Sequence, residues 1–396
     1  MSDTPKTFRA PWPANAARPV VNPLQPSVVY AAADPDALDR AYDGTEPGYT
    51  YAREGHPNAT VLAGLIDRME GGSGGMVVGS GMAAVSLVLM GCVSAGHHVI
   101  GADQLYGRSL RLLRDELPRL GSESSLVDPK DLSSVEAAFR ETTKLILLET
   151  VSNPTLRVPD IDAVIALAKD NGVLVAIDNT FATPRAYRPL ERGADIVIHS
   201  VTKLLAGHSD ATLGYLCARD PAMNESLKSL GDTIGLTASP FDCWLAERGI
   251  YSFDLRYDRA SANARALADA LAEMDGVLRV VYPTRPDHPD HNRAVALLGG
   301  EGGHMVSFEV RPERDVANAF VRAAEGLNFA PTLGDITTTI SHPASSSHRA
   351  MSEAERADLG ISEGFFRISV GCENSDDLVA AFAKGVAALA MITVAL

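Results

Sequence analysis

No two of the four cysteines, Cys92, Cys217, Cys243 and Cys372, stand at a C-x-x-C spacing in this chain of 396 residues. A disulfide scaffold and the common thiolate zinc and redox motifs are thereby excluded, and no metal site is expected. In a chain this long, isolated cysteines read as free buried thiols in a reducing cytosol. Positive charge is in deficit: 35 Lys and Arg stand against 50 Asp and Glu, a formal −15, and the basic residues form no run. Such a balance argues against nucleic acid or anionic membrane as a partner, although local groups can still make a pocket for an anion. Long apolar runs are missing too. The longest, Val386–Leu396, is too short to cross a bilayer and reads as the last turns of a packed C-terminal helix. The start, MSDTPKTFRAPWPANAARP, is polar and proline-broken and lacks the apolar core of a signal peptide, so a cytoplasmic location is expected. No internal repeat is visible.

What remains is an ordinary globular composition, 46% apolar, at a length that suits two or three domains. Residues 1–55 carry many prolines and little periodicity, and read as an extended N-terminal arm that packs on a neighbouring subunit. From about residue 57, short apolar runs alternate with helix-period stretches. MVVGSG (76–81), HVIGAD (98–103), KLILLET (144–150), VLVAIDNT (173–180), DIVIHS (195–200) and GYLCAR (214–219) read as buried strands, and 81–93, 107–119 and 160–171 as helices. That alternation predicts an α/β domain over 56–245 with a mostly parallel sheet, whose ligand lies at the carboxyl ends of the strands. After about 245 the texture changes. A long helix (256–274), strands VLRVVYP and HMVSFEV, a helix (315–325), strand FFRISVG and a closing helix predict a smaller α+β domain over 246–396.

Four features carry chemistry. Lys203 in IHSVTKLLAGHSD directly follows a buried strand, where an ammonium is costly; a lowered pKa would ready its amine to condense with a carbonyl. The bland alternative is structural. Asp178 ends VLVAIDNT and lies 25 residues before Lys203, one strand–helix–strand step, so the two fall at neighbouring strand ends. A pyridoxal phosphate site needs a carboxylate there to keep the pyridine nitrogen protonated; the alternative is a helix N-cap. GSGMAAVSLVLM (79–90) is strand, turn and helix start, and the N–H groups of Gly81 and Met82 would suit a phosphate. Ala84 stands where a dinucleotide fingerprint would need its third glycine, and a dehydrogenase has no use for Lys203. Tyr106, just past another strand end, could lie on a pyridine ring or simply pack with its hydroxyl satisfied.

Taken together, GYTYAREGHPNATVLAGLIDRMEGG, SGMAA, DQLYG, ETVSNPT, AIDNTFATP, HSVTK with GHSD, and FRISVGCE resemble the Cys/Met-metabolism, or transsulfuration, enzymes of pyridoxal 5'-phosphate fold type I, from about residue 20 to the C-terminus. The resemblance implies that Lys203 holds pyridoxal 5'-phosphate as a Schiff base and shuttles protons. Asp178 would pair with the ring nitrogen, Tyr106 would stack on the ring, and Asn153 would lie near its 3'-hydroxyl. Gly81, Met82, Ser200 and Thr202 would hold the phosphate, joined by Tyr51 and Arg53 from the neighbouring subunit, so that each site needs a dimer, usually within a tetramer. Arg367 would clamp the substrate α-carboxylate, with Asn153 and Thr332 beside it, and Tyr51 or Tyr106 would protonate the leaving group.

Departures from the family pattern bear on the substrate. His56-Pro57-Asn58 replaces Asn-Pro-Thr, Thr337 stands where cystathionine-handling members carry an acid, and Arg108 replaces the cysteine of many methionine γ-lyases. Arg108 and Arg111 would favour a distal carboxylate, or are solvated helix charge. The resulting expectation is a lyase acting at the γ-carbon of a sulfur-containing or other γ-substituted amino acid. γ-Replacement by a synthase or sulfhydrylase, then cystathionine β-lyase chemistry, are the alternatives, and a non-catalytic pyridoxal phosphate-binding protein is a remote one.

Overall fold

Seven strands build the larger of two sheets: β1 (Met76–Val78), β2 (His98–Ala102), β3 (Glu123–Val127), β4 (Thr143–Glu149), β5 (Leu174–Asp178), β6 (Ile196–Ser200) and β7 (Gly214–Ala218). The computed structural model describes residues 16–17 and 19–391. The strand order is β1-β7-β6-β5-β4-β2-β3. Strands β3, β2, β4, β5 and β6 pair in parallel, and β7 runs antiparallel to both its neighbours. A sheet covered by helices on both faces must be apolar on both sides, which is why its strands read as continuous apolar runs. Every residue of β2 and of β7 is buried. The covering helices start where the sequence offers a cap: Ser80 accepts from Ala83 N before Gly81–Cys92, and Asp160 from Ala163 N before Ile161–Asp170.

All six expected strands are present, and the sequence reading missed a seventh. Strand β3 has the sequence ESSLV at the sheet edge, where partial exposure removes the need for an apolar run. The expected helix over 107–119 is there in three pieces: Gly107–Arg111, a π-helical turn Leu112–Glu116, and Leu117–Arg119. Leu117 N–H bonds to Leu112, five residues back. Pro118, next in line, has no N–H to offer, so the α ladder is not resumed there.

The second sheet comprises β8 (Arg279–Val281), β9 (Met305–Glu309), β10 (Asn328–Phe329), β11 (Thr339–Ser341) and β12 (Phe365–Ser369), in the order β10-β11-β12-β9-β8. Only β10–β11 is parallel. Helices Phe253–Ala272, Arg314–Ala323 and Ser375–Ala387 pack on it around an aromatic cluster in which Phe308 stacks on Phe366 at 5.3 Å and meets Phe320 edge-on at 5.2 Å. Such pairs add fixed geometry to the burial of large apolar surface. The expected α+β texture holds, with the two short strands β10 and β11 in addition.

The N-terminal arm is not extended throughout. Asp34 caps a helix, Pro35–Tyr42, that buries none of its residues; Pro35 sits at the first helical position, where its missing N–H costs nothing. Before it, the arm is tied to the body: Trp244 Nε1 donates to Asn22 O at 2.9 Å, and Asn58 exchanges bonds with Gln25 N and Pro23 O. At the other end the closing helix stops at Ala387 and a 3-10 turn, Ala388–Met391, follows. The first part of the arm, and the last five residues of the run Val386–Leu396, lie outside the described residues.

Candidate active site

Three strands of the large sheet deliver their last residues to one place. Glu149 ends β4, Asp178 ends β5 and Ser200 ends β6, and all three line a cavity of about 1110 Å³. The second sheet closes it from the other side through Arg367 on β12 and the segments Pro331–Leu333 and Ser345–Met351. Asp178 pairs with Ile198 in the β5–β6 register. The step from Asp178 to Lys203 therefore spans neighbouring strand ends, as the spacing implied.

Lys203 sits in the turn after β6, where its own N–H bonds to Ser200 O and its carbonyl accepts from Gly207 N. The backbone of Gly334 presses on this turn. A Cβ there would lie 2.4 Å from Leu204 N and 2.9 Å from Lys203 Cα, and its φ is +80°, so only glycine fits. Among the described residues Lys203 is the one lysine lining the cavity. Burial pulls its amine down to about 8, and the charge of Arg367 adds to the effect.

Arg367 is 4% exposed. Its Nη1 donates to Asn153 Oδ1 at 2.8 Å and its Nη2 to Thr332 O at 2.9 Å, while its buried Nε has no partner. Burial lowers its pKa to about 10. Such a guanidinium has a buried N–H donor free beside the cavity. Asn153 and Thr332, expected as neighbours of the substrate, are thus also the residues that hold this arginine.

Opposite these cations stand two carboxylates. Asp178 Oδ1 accepts from both the N–H and the hydroxyl of Thr180, and Oδ2 makes no hydrogen bond among the described residues. Burial raises its pKa, with Thr180 and His199 opposing. Glu149 accepts from Tyr106 N through Oε1 at 2.6 Å. Tyr106 is 38% exposed and lines the cavity at the start of helix Gly107–Arg111.

The expected anion cradle falls at the start of Gly81–Cys92. Ser80 O and Oγ take the N–H groups of Ala84 and Ala83, which leaves those of Gly81 and Met82 without backbone partners. A Cβ on Gly81 would come within 2.7 Å of Ser200 Cβ, so the helix start and the end of β6 are packed backbone against strand. Thr202 also lines the cavity, with its Oγ1 engaged by Leu213 N and O at 2.9 and 3.2 Å.

Other expected site residues are placed elsewhere. Tyr51 and Arg53 line a separate surface hollow with Thr237–Phe241, and Arg53 Nη1 donates to Asp232 O. Within one chain they do not meet Lys203. His56 caps the helix Pro57–Glu70, accepting from Ala59 N through Nδ1, and its Nε2 contacts Ala238 O. Thr337 does not line the cavity and bonds Asp335 Oδ1 through its hydroxyl. Arg108 and Arg111 both line the mouth, where Arg111 also makes long ion pairs to Asp115 and Glu116. Sequence reasoning overlooked Glu149, which the strand-end rule that found Asp178 would have found, and Thr180, which follows Asp178 by two. The loop Ser345–Met351 gave no signal at all; its place at the cavity comes from the packing of the second sheet.

The profile of the Cys/Met metabolism PLP-dependent enzymes matches residues 11–387. The chain belongs to that family. It is a pyridoxal 5'-phosphate enzyme of the transsulfuration group, with the type I fold. Methionine γ-lyase of Porphyromonas gingivalis is 38% identical over 352 residues, 88% of each chain. Cystathionine β-lyase of Bacillus subtilis is 38% identical over 346 residues, 87% of this chain and 88% of its own. Cystathionine γ-synthase of Xanthomonas oryzae pv. oryzae, solved in complex with cystathionine, superposes with a TM-score of 0.89 at 34% identity over 94% of both chains. Elimination at either carbon and replacement are all represented at similar distance.

Proposed function

We propose that the enzyme is a lyase that eliminates a γ-substituent from a sulfur-containing or otherwise γ-substituted amino acid, with its cofactor held on Lys203. The observation that carries this reading is the convergence of a buried amine near 8, a buried arginine with an idle Nε, and two half-buried carboxylates on one cavity. These residues fit the cofactor. Burial raises both carboxylates, and a protonated ring nitrogen beside Asp178 would offset that cost. Gly81 and Met82 N–H with Ser200 and Thr202 would hold the phosphate, Tyr106 would lie on the ring, and Asn153 would neighbour its 3'-hydroxyl.

Bound pyridoxal phosphate supplies an electron sink for charge developed at the substrate α-carbon. Arg367 fixes the α-carboxylate through Nε while Asn153 and Thr332 hold its Nη groups in place. Lys203, once its amine is free, takes the α-proton and then, for a γ-leaving group, a proton at the β-carbon; the one lysine of the cavity serves both positions. Tyr106, or Tyr51 of a neighbouring copy, gives a proton to the departing group. The cavity of about 1110 Å³ is also lined by Arg108 and Arg111, room for a chain that extends beyond the β-carbon. The same room favours γ-replacement as the second reading, since a thiol acceptor needs space beside the substrate.

In this reading residues 1–55 form the arm, 56–245 the cofactor domain and 246–396 the C-terminal domain. Tyr51 and Arg53 lie with the exposed Val28 and Phe241 on the surface, and complete the cavity of a second copy in a dimer within a tetramer. The four cysteines are free and no described helix is long and apolar enough to cross a membrane; both agree with a cytoplasmic enzyme. The deciding experiment gives the holoenzyme cystathionine, methionine, homocysteine and O-acylhomoserines, with and without cysteine, and identifies the product. 2-Oxobutanoate with ammonia supports γ-elimination. Pyruvate in its place means β-elimination, and a thioether formed only with cysteine means replacement.

A further inference from the structure

Glu149 and Asp178 are register partners on the parallel strands β4 and β5, so their side chains leave the same face of the sheet about 5 Å apart at the backbone. Their surroundings differ. Asp178 receives two donors from Thr180, and His199 lies behind it on β6. Glu149 receives the Tyr106 N–H on Oε1, and the Asn153 N–H faces the same carboxyl, but Oε2 is buried without any partner. None of the ion pairs among the described residues includes Glu149. Two carboxylates side by side disfavour each other's ionisation, and one of them keeps its proton at lower cost. Asp178 holds two donors at hydrogen-bond distance and Glu149 one, so the proton belongs on Glu149, on its orphaned oxygen, where it turns an unsatisfied acceptor into a donor.

We propose that Glu149 is a positioning residue that works as the neutral acid: it braces the Tyr106 and Asn153 loops while leaving Asp178 the one ionised carboxylate at that end of the cavity. The inference rests on the cofactor reading above, since a single negative charge is what one ring cation needs. Burial raises both acids, and for Glu149 the nearby Asp178 raises it further. The other titratable or charged groups around the pair are Tyr106 from the loop after β2, Lys203 from the turn after β6, Arg367 from β12, and His199 behind Asp178. The Thr180 donors and His199 favour the charge on Asp178. Glu149 touches neither leaving group nor proton in transit. Its part is to hold Tyr106 where the ring stacks and Asn153 where Arg367 anchors.

Glu149→Gln is the test, because glutamine copies the shape and neutrality of the protonated acid. An acid held neutral by the fold costs more stability as pH rises above its ordinary value, because the unfolded chain then ionises freely. Glutamine removes that cost. The Tm difference between the cofactor-free variant and the cofactor-free parent should therefore grow in the variant's favour from pH 5 to pH 8, by about 1–3 °C. In the holoenzyme, kcat/KM should fall by less than about fivefold with an unchanged pH profile. A Tm difference that is flat or reversed over that range overturns the proposal. So does a larger loss of kcat/KM with the cofactor absorbance intact, or a glutamine variant that does not fold. Lys203→Ala serves as the control. If cofactor absorbance survives that substitution, the cofactor reading falls by itself, and the cofactor-free Tm comparison still judges Glu149.

Discussion

Replacing Arg367 with methionine should make Lys203 a slower partner for the cofactor at neutral pH, and the size of the effect can be worked from the site. The Lys203 amine is lowered from 10.5 to about 8 by two causes, burial first and the Arg367 charge second. Methionine keeps most of the arginine's length and removes its charge, so burial stays and repulsion goes. The midpoint should move back toward the ordinary value by less than half that interval, up to about one pH unit. Only the neutral amine condenses with a carbonyl, so near pH 7 the rate of cofactor uptake should fall by up to about tenfold. The assay mixes cofactor-free enzyme with pyridoxal phosphate from pH 6.5 to 10 and follows the growth of visible absorbance. The parent should reach half its maximal rate near pH 8 and the variant at higher pH. A midpoint that does not move would show that Arg367 and Lys203 are not electrostatically coupled, and would undo the account of why this lysine is reactive. In the reconstituted variant, loss of a charged hydrogen bond to the substrate carboxylate should cost about 1.5–3 kcal/mol, or roughly 10- to 150-fold in kcat/KM. A near-normal kcat/KM would remove Arg367 from the substrate site.

Two further outcomes follow from the same geometry. If Tyr51 and Arg53 complete a neighbouring copy's cavity, inactive Lys203→Ala and Arg53→Ala subunits, unfolded and refolded together, should regain about a quarter of parental activity, since half the dimers are mixed and each holds one whole site; no recovery would place Arg53 in its own chain's function. Gly81→Ala puts a Cβ 2.7 Å from Ser200 Cβ and 3.0 Å from Ser200 Cα, which the strand cannot yield to. The helix start should tilt away, with a stability loss of about 1–3 kcal/mol and weaker cofactor binding by equilibrium dialysis; unchanged Tm and affinity would mean that the N–H groups of Gly81 and Met82 do not form the cradle.

The helices and strands of the large sheet were legible because burial on both faces forces apolar runs and the caps Ser80 and Asp160 announce the helices that follow. Strand β3 was not, because an edge strand needs no such run, and neither was the helix Pro35–Tyr42, which buries none of its residues. Lys203, Asp178, Gly81 and Met82, which line the cavity, could be picked out from the sequence, since each sits at a strand end or helix start within one stretch of chain. Glu149 obeyed the same rule and was passed over.

What the sequence by itself determined is therefore local order: a lysine one strand-step from a carboxylate, a glycine helix start beside them, and the family motifs that join them. Only the tertiary structure decided what depends on residues far apart in the chain. It set Arg367 against Asn153, 214 positions away, and laid Gly334 on the backbone of Lys203. It also set His56 Nε2 against Ala238 O, 182 positions away, turned Thr337 away from the cavity, and put Glu149 and Asp178 side by side at adjoining strand ends. Those arrangements come from how the second sheet docks on the strand ends and from strand register, and neither periodicity nor composition records a distance between elements.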